Sequence, residues 1–305
     1  MDTVVPGEGI VPVLDGDILR TDGRTVLGGD DKSGIAIICE ALRVVKENQI
    51  PCSDVDVVFT ICEEAGLIGA KCLDVSRLRA RTGLVLDSDS VGFLFTEAPA
   101  ANRMEFHVRG LKPMPAFARR RESTRSKSPL KGSLRCSLGR IDHETTANIG
   151  VIEGGMAVNI VPNSVVLRGG ARSHSEEKLE RQTQHMLECL RQAARQHVLE
   201  LDGKRFQASV EAKIDRDYDR MDVPDDSAIV RLVQSSSQEP PSRIEDPRHR
   251  RRLRCQRAEP KGLEVANLST GMREIHTVHE WLDLKDLYLS AQVVLEIVRL
   301  NGATH

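Results

Sequence analysis

Residues Val57 to Ile61 form an unbroken apolar and β-branched run that stops just before two adjacent carboxylates, Glu63 and Glu64, with Gly66 and Gly69 behind them. Such a run reads as a buried strand, and the glycines mark the turn into the next element. Acids side by side at a strand end point in different directions. One is suited to hold a metal ion while its neighbour works as a general base. An exposed Glu-Glu pair is more often a solvated surface, so the pair gains meaning only from the rest of the chain.

Upstream, Gly28-Gly-Asp-Asp-Lys-Ser-Gly34 opens a helix whose apolar face is predicted to be Ile35, Ile38, Cys39, Leu42 and Val45. Asp30 and Asp31 therefore sit at a helix N-terminus, where acids commonly act only as caps. Downstream, Gly83 to Ser88 reads as a short buried strand ending in Asp87. Alternating strands and helices predict an α/β sheet, and ligand sites in open α/β sheets gather beyond the carboxyl ends of the strands. Asp30, Glu64 and Asp87 are thus expected to converge. Histidine would complete a hydrolytic zinc, manganese or cobalt site. The candidates are His276 and His279, in Gly271 to Glu280 after the strand-like Leu263 to Ser269.

Between these stretches, residues 101–221 change rhythm. Strands are predicted at Met104–Val108, Ala147–Glu153, Ser164–Arg168 and Ala208–Ile214. Ser173-His-Ser-Glu176 has capping-box spacing. It precedes a long helix with Leu179, Met186, Leu187, Leu190 and Val198 on one face. One more helix, at about 111–140, would complete a ferredoxin-like unit. The 305 residues allow two domains. Aromatics are 3% of the chain, so the core is expected to be aliphatic. A net charge of -2 gives no global pull toward nucleic acid or a membrane surface. Seven scattered cysteines without C-x-x-C argue for a reducing, cytoplasmic setting. No apolar run is long enough to span a bilayer.

Asp30 in G-G-D-D-K-S-G, Glu63 and Glu64 in E-E-A-G-L-I-G-A, Asp87 in V-L-D-S and His276 in H-T-V-H-E resemble, in that order, the dinuclear metallopeptidases around peptidase T. These tripeptide aminopeptidases share a clan with carboxypeptidase G and the aminoacylases. The resemblance implies an α/β catalytic domain with a mixed sheet flanked by helices, at 1–100 plus 222–305. An inserted α+β ferredoxin-like lid at 101–221 would dimerise. It implies two divalent metal ions, zinc first, with cobalt or manganese as alternatives. Asp30 would bridge them, with Glu64, Asp87 and His276 as further ligands. Glu63 would be the general base, and Asp2 the acid of an H-x-D motif that orients Glu63 or the first ligand. Asn159 and Arg172 would hold the substrate's carboxylate, a task suited to a bidentate guanidinium. The implied activity is hydrolysis of short peptides. An amidohydrolase acting on N-acyl amino acids, or an inactive relative, are the other readings.

Three departures qualify this. The family's H-x-D histidine has no counterpart before Asp2, so one metal position is expected to be impaired and Met1 to be an internal methionine read as a start. Lys112 to Leu138 is basic and without a helical face. Back-translated from Pro113 to Cys136 and shifted by two bases, it can encode A-H-A-G-V-R-P-E-E-G-I-N-A-I-K, which resembles the family's lid signature and the absent lid helix. Arg248 to Arg254 can likewise encode G-T-G-G-G-S-D, resembling its glycine-rich substrate loop. Residues 111–140 and 234–262 are therefore read as two compensated frameshifts. The lid would lack one helix, and the arginine runs would serve no nucleic acid. Codons that do not yield these shifted readings would refute the interpretation.

Overall fold

The computed structural model describes residues 2–110, 136–157, 162–196, 198–201, 204–236 and 263–303. In chain order the first elements are β1 (Pro12–Asp15), β2 (Ile18–Thr21), α1 (Gly29–Glu47), α2 (Ile68–Lys71), β3 (Thr82–Leu86), β4 (Leu94–Phe95), β5 (Glu97–Ala98) and β6 (Ala100–Arg109). Next come β7 (Gly139–Arg140), β8 (Thr145–Gly154), β9 (Ser164–Ser173), α3 (Glu176–Arg195), β10 (Val198–Leu201), β11 (Lys204–Gln207) and β12 (Ser209–Tyr218). The chain closes with β13 (Met221–Asp222), α4 (Ala228–Ser236), β14 (Glu264–Leu268), β15 (Met272–Arg273), β16 (Trp281–Asp283) and α5 (Leu284–Ala303). The fold is mixed α/β and divides into two compact units. One is Met1–Ala98 with Met221–His305, the other Pro99–Arg220.

In the first unit, β3, β14 and β4 form a sheet in that order. The β3–β14 pair is parallel and the β14–β4 pair antiparallel. Its core joins Ile37 and Ala41 of α1, Ile229 and Val233 of α4, and Val293 and Ile297 of α5 to Leu86, Ala266 and Leu268. A second sheet, ordered β1-β2-β16-β15, carries a smaller cluster of Leu27, Met272 and Leu282. Helix α1 is apolar on two sides. Ile37 and Ala41 are buried in the core and Ile38 packs against it, while Ile35, Ile38, Ala41 and Leu42 border a cavity of about 620 Å³. The predicted stripe was therefore offset from the buried one, and Cys39 is exposed.

The predicted strand Val57–Ile61 does not form. Residues 51–60 have no strand pairing, and Val57, Phe59 and Ile61 are 41%, 51% and 63% exposed. An apolar run becomes a strand only beside a backbone it can pair with. Here the cavity lies between it and β3, the edge strand of the three-stranded sheet. Side chains make the link instead: Asp56 accepts Arg79 N–H and Ala80 N–H at 2.8 and 3.0 Å. The next predicted strand does form, as β3, which starts one residue earlier at Thr82 and ends at Leu86, just before Asp87.

In the second unit the sheet runs β12-β6-β9-β8-β7, antiparallel throughout. Along β6, Met104, Phe106 and Val108 are buried while Glu105 and His107 face outward, the period of two that a half-covered strand requires. The buried residues meet Leu179, Met186, Leu187 and Leu190 of α3, spaced for one helical face. The cap of α3 is Ser175, which accepts Lys178 N–H at 3.3 Å, rather than the predicted Ser173. Ser173 Oγ instead accepts Ser175 N–H at 3.1 Å. Val198 lies past the helix end, in β10. The helix predicted at about 111–140 falls, for its greater part, outside the described residues.

Candidate metal centre and active site

The Gly28–Gly34 stretch divides its two acids between two tasks. Asp31 Oδ1 accepts Gly34 N–H at 3.1 Å and caps α1. Asp30 precedes the regular helix, with φ -79° and ψ 104°. A side chain at Gly34 would meet Leu86 O at 2.4 Å, so glycine permits the helix start to sit against the end of β3. The loop is also held from outside. Glu280, 2% exposed, accepts Leu27 N–H and Gly28 N–H on Oε2, both at 2.8 Å, and Asp30 N–H on Oε1 at 3.0 Å.

Glu63 and Glu64 lie in a turn that Cys62 enters at φ 55°. The Glu63 carbonyl accepts Gly66 N–H and Leu67 N–H at 2.9 and 2.8 Å. Asp2 braces the pair: its Oδ1 accepts Glu63 N–H at 3.2 Å and its Oδ2 accepts Glu64 N–H at 3.0 Å. Burial pushes the Asp2 carboxyl up, but the N–H groups turned onto it outweigh this, and it titrates below the usual range. Asp87 follows β3, where the Asn267 side chain clamps its backbone. Asn267 Oδ1 accepts Asp87 N–H at 3.1 Å, and Asn267 Nδ2 donates to Asp87 O at 2.9 Å.

His276 arrives from the turn after β15, with φ 64°. Its Nε2 lies 3.0 Å from Asp30 Oδ2 and 3.1 Å from Glu64 Oε1. One ligand atom from each of the three residues lies within 4.8 Å of the others. Burial, the largest influence, raises the Glu64 carboxyl above its ordinary value. The Asp30 and Asp2 charges add to this, and His276 opposes it. Two carboxylates converging on one imidazole suit a divalent cation, whose charge would relieve their repulsion.

Of the predicted site residues, Asp30, Glu64 and His276 thus share one cluster. Glu63, Asp87 and Asp2 line the same cavity as Asp30 and Glu64 without belonging to that three-donor group. His279 is exposed and borders a different hollow with Arg20 and Trp281. Arg172 lies on β9 in the second unit, its guanidinium carbon 6.0 Å from the centre of the Tyr218 ring. Asn159 falls outside the described residues. Sequence reasoning assigned no part to Glu280 or Asn267, although both occur in stretches it singled out. Their only signal is a polar residue at a position that turns out to be buried.

Known proteins bear directly on this arrangement. The model of peptidase family M28 matches residues 28–163, the stretch with Asp30, Glu63, Glu64 and Asp87. The Bacillus subtilis protein YqjE is 34% identical over 301 residues, 98% of this chain and 78% of YqjE. Aminopeptidase PepT of Bacillus cereus is 31% identical, with a TM-score of 0.74 over 99% of this chain and 79% of that structure. A tripeptidase of Staphylococcus aureus is 30% identical, with a TM-score of 0.81 over the same shares, 99% and 79%. Identity at this level across almost the whole chain, with Asp30, Glu64 and His276 brought together in space, places the protein in the peptidase T-like family of dinuclear metallopeptidases.

Proposed function

We propose that the protein is a metal-dependent exopeptidase that removes the amino-terminal residue from short peptides. The observation that carries this is the meeting of Asp30, Glu64 and His276 beside Glu63. Asp30, Glu64 and His276 would hold one divalent ion, zinc by donor type and cobalt or manganese otherwise. Asp87, with Asp30, would serve a second. Bound there, the metal supplies Lewis-acid polarisation of the scissile carbonyl and a lowered pKa for water.

Glu63 then takes the proton of the attacking water on its carboxylate and delivers it to the leaving amine nitrogen. Asp2 orients both glutamates through their backbone N–H groups, so Glu63 and Glu64 keep separate directions. Arg172 binds the substrate carboxylate with its guanidinium fork. Asn159 would assist it. The second unit acts as lid and as the surface of a homodimer. Seven cysteines scattered without a C-x-x-C pattern support a cytoplasmic location.

The test is release of the first residue from unblocked tripeptides, compared with hydrolysis of N-acetyl amino acids, each with and without a chelator. Chelator-sensitive cleavage of the tripeptides is expected. Cleavage of the acylated substrates alone would replace the proposal with an amidohydrolase. No turnover of either after metal loading would mark an inactive relative.

A further inference from the structure

We propose that Glu280 is a positioning residue that sets the distance between Asp30 and His276, an inference that rests on the metal-site reading above. Its carboxylate is one of the largest fully buried side chains and accepts the backbone N–H groups of Leu27, Gly28 and Asp30. Buried N–H groups need acceptors, and a buried carboxylate needs donors. Each satisfies the other here. Gly29 sits between the bonded residues, and a Cβ on it would come within 3.0 Å of Glu280 Oε1 and 3.1 Å of Leu282 Cδ1. The loop is therefore pressed directly onto the carboxylate.

The position of Glu280 in the chain gives this contact its consequence. It stands four residues after His276 in one tight connection. There Thr277 Oγ1 donates to Glu274 O at 2.7 Å, His279 N–H reaches Thr277 Oγ1 at 3.1 Å and Glu280 N–H reaches Thr277 O at 3.2 Å. A single turn thus presents the imidazole and grips the loop that presents Asp30. The two donors come from chain segments 246 positions apart, and the carboxylate ties their backbones together. Glutamine at this position would keep the shape but offer one acceptor oxygen and turn an amide N–H toward a backbone N–H.

The experiment compares the parent protein with Glu280→Gln, Glu280→Asp and a core control, Val233→Ala. Two quantities are read: Co²⁺ affinity by competition with a chromophoric chelator, and hydrogen exchange of a peptide spanning residues 27–30. Glu280→Gln should bind Co²⁺ about 10–100-fold more weakly, as losses of outer-shell partners typically do, and should lose protection at Leu27, Gly28 and Asp30. Val233→Ala should lose stability while keeping both. If Glu280→Gln does not fold, Glu280→Asp carries the test, since it retains the charge with a shorter reach and should weaken both readouts partially. Parent-like Co²⁺ affinity and exchange in the Glu280 variants, or equal losses in Val233→Ala, would overturn the positioning role alone. A parent protein that takes up no Co²⁺ would sink the metal reading itself, and the positioning role with it.

Discussion

His276 Nε2 lies 3.0 Å from Asp30 Oδ2, across 246 positions of chain. The same nitrogen is 3.1 Å from Glu64 Oε1, so three elements deliver one donor set. Removing the imidazole should weaken divalent-metal binding by more than the ~10–100-fold typical of outer-shell changes. Calorimetric titration of His276→Ala with Zn²⁺ checks this. Unchanged affinity would remove His276 from the ligand set.

Glu63 shares the cavity with Asp30 and Glu64 but stands outside the three-donor group. Glu63→Gln should therefore leave bound metal unchanged while lowering kcat by ~10²–10⁴, the usual contribution of a positioned general base. Metal content by emission spectroscopy alongside tripeptide kinetics makes the comparison. Loss of metal would show that Glu63 is a ligand instead.

Asp142, in the turn between β7 and β8, is held well below the usual carboxylate range. The largest cause is Glu144 N–H, 2.9 Å away. Burial opposes it, and Lys178 and Thr145 add further lowering. Lys178 Nζ stands 3.1 Å from Asp142 and 2.6 Å from Glu144. A carboxyl with a depressed folded pKa adds stability that is present above its unfolded value, ~3.9. That stability is lost as pH falls toward the folded value. Acid should therefore weaken the second unit, and Asp142→Asn should flatten that loss. Urea unfolding followed from about pH 6 to about pH 2, a window that crosses the ~3.9 reference value and runs toward the folded one, tests it, and an unaltered slope in the variant would count against the assignment.

Leu190 is 1% exposed and belongs to the cluster of Met104, Phe106 and Met186 beneath the five-stranded sheet. Leu190→Ala should cost about 2–5 kcal/mol of stability, through lost burial plus the cavity left behind. Equilibrium urea unfolding followed by circular dichroism reads the difference. A change within about 0.5 kcal/mol, the range of surface substitutions, would show that α3 does not close this core.

Apolar patterning located α1, α3, β3, β6, β8, β9, β12 and β14, because each carries its apolar run or its hydrophobic rhythm within its own residues. It misplaced details that depend on neighbours. Ser175 rather than Ser173 caps α3, because the cap is whichever hydroxyl meets the first free N–H groups. Ile35 and Leu42 of the predicted stripe border a cavity and Cys39 is exposed, while the fully buried positions of the helix are Ile37 and Ala41, with Ile38 packed beside them. Both faces of that helix are apolar, and composition cannot rank them.

The chain's own letters established the types of group available: acids after short apolar runs, a glycine-flanked helix start and a histidine after a late strand. Only the tertiary structure decided their use. Asp31 caps a helix while its neighbour Asp30 reaches a histidine, because the backbone of the two residues leaves the helical path. Val57–Ile61 stays unpaired because a strand is a property of two backbones and not of one. Glu280 became an anchor because folding buried it against three N–H groups, a distinction that one glutamate in a sequence cannot carry.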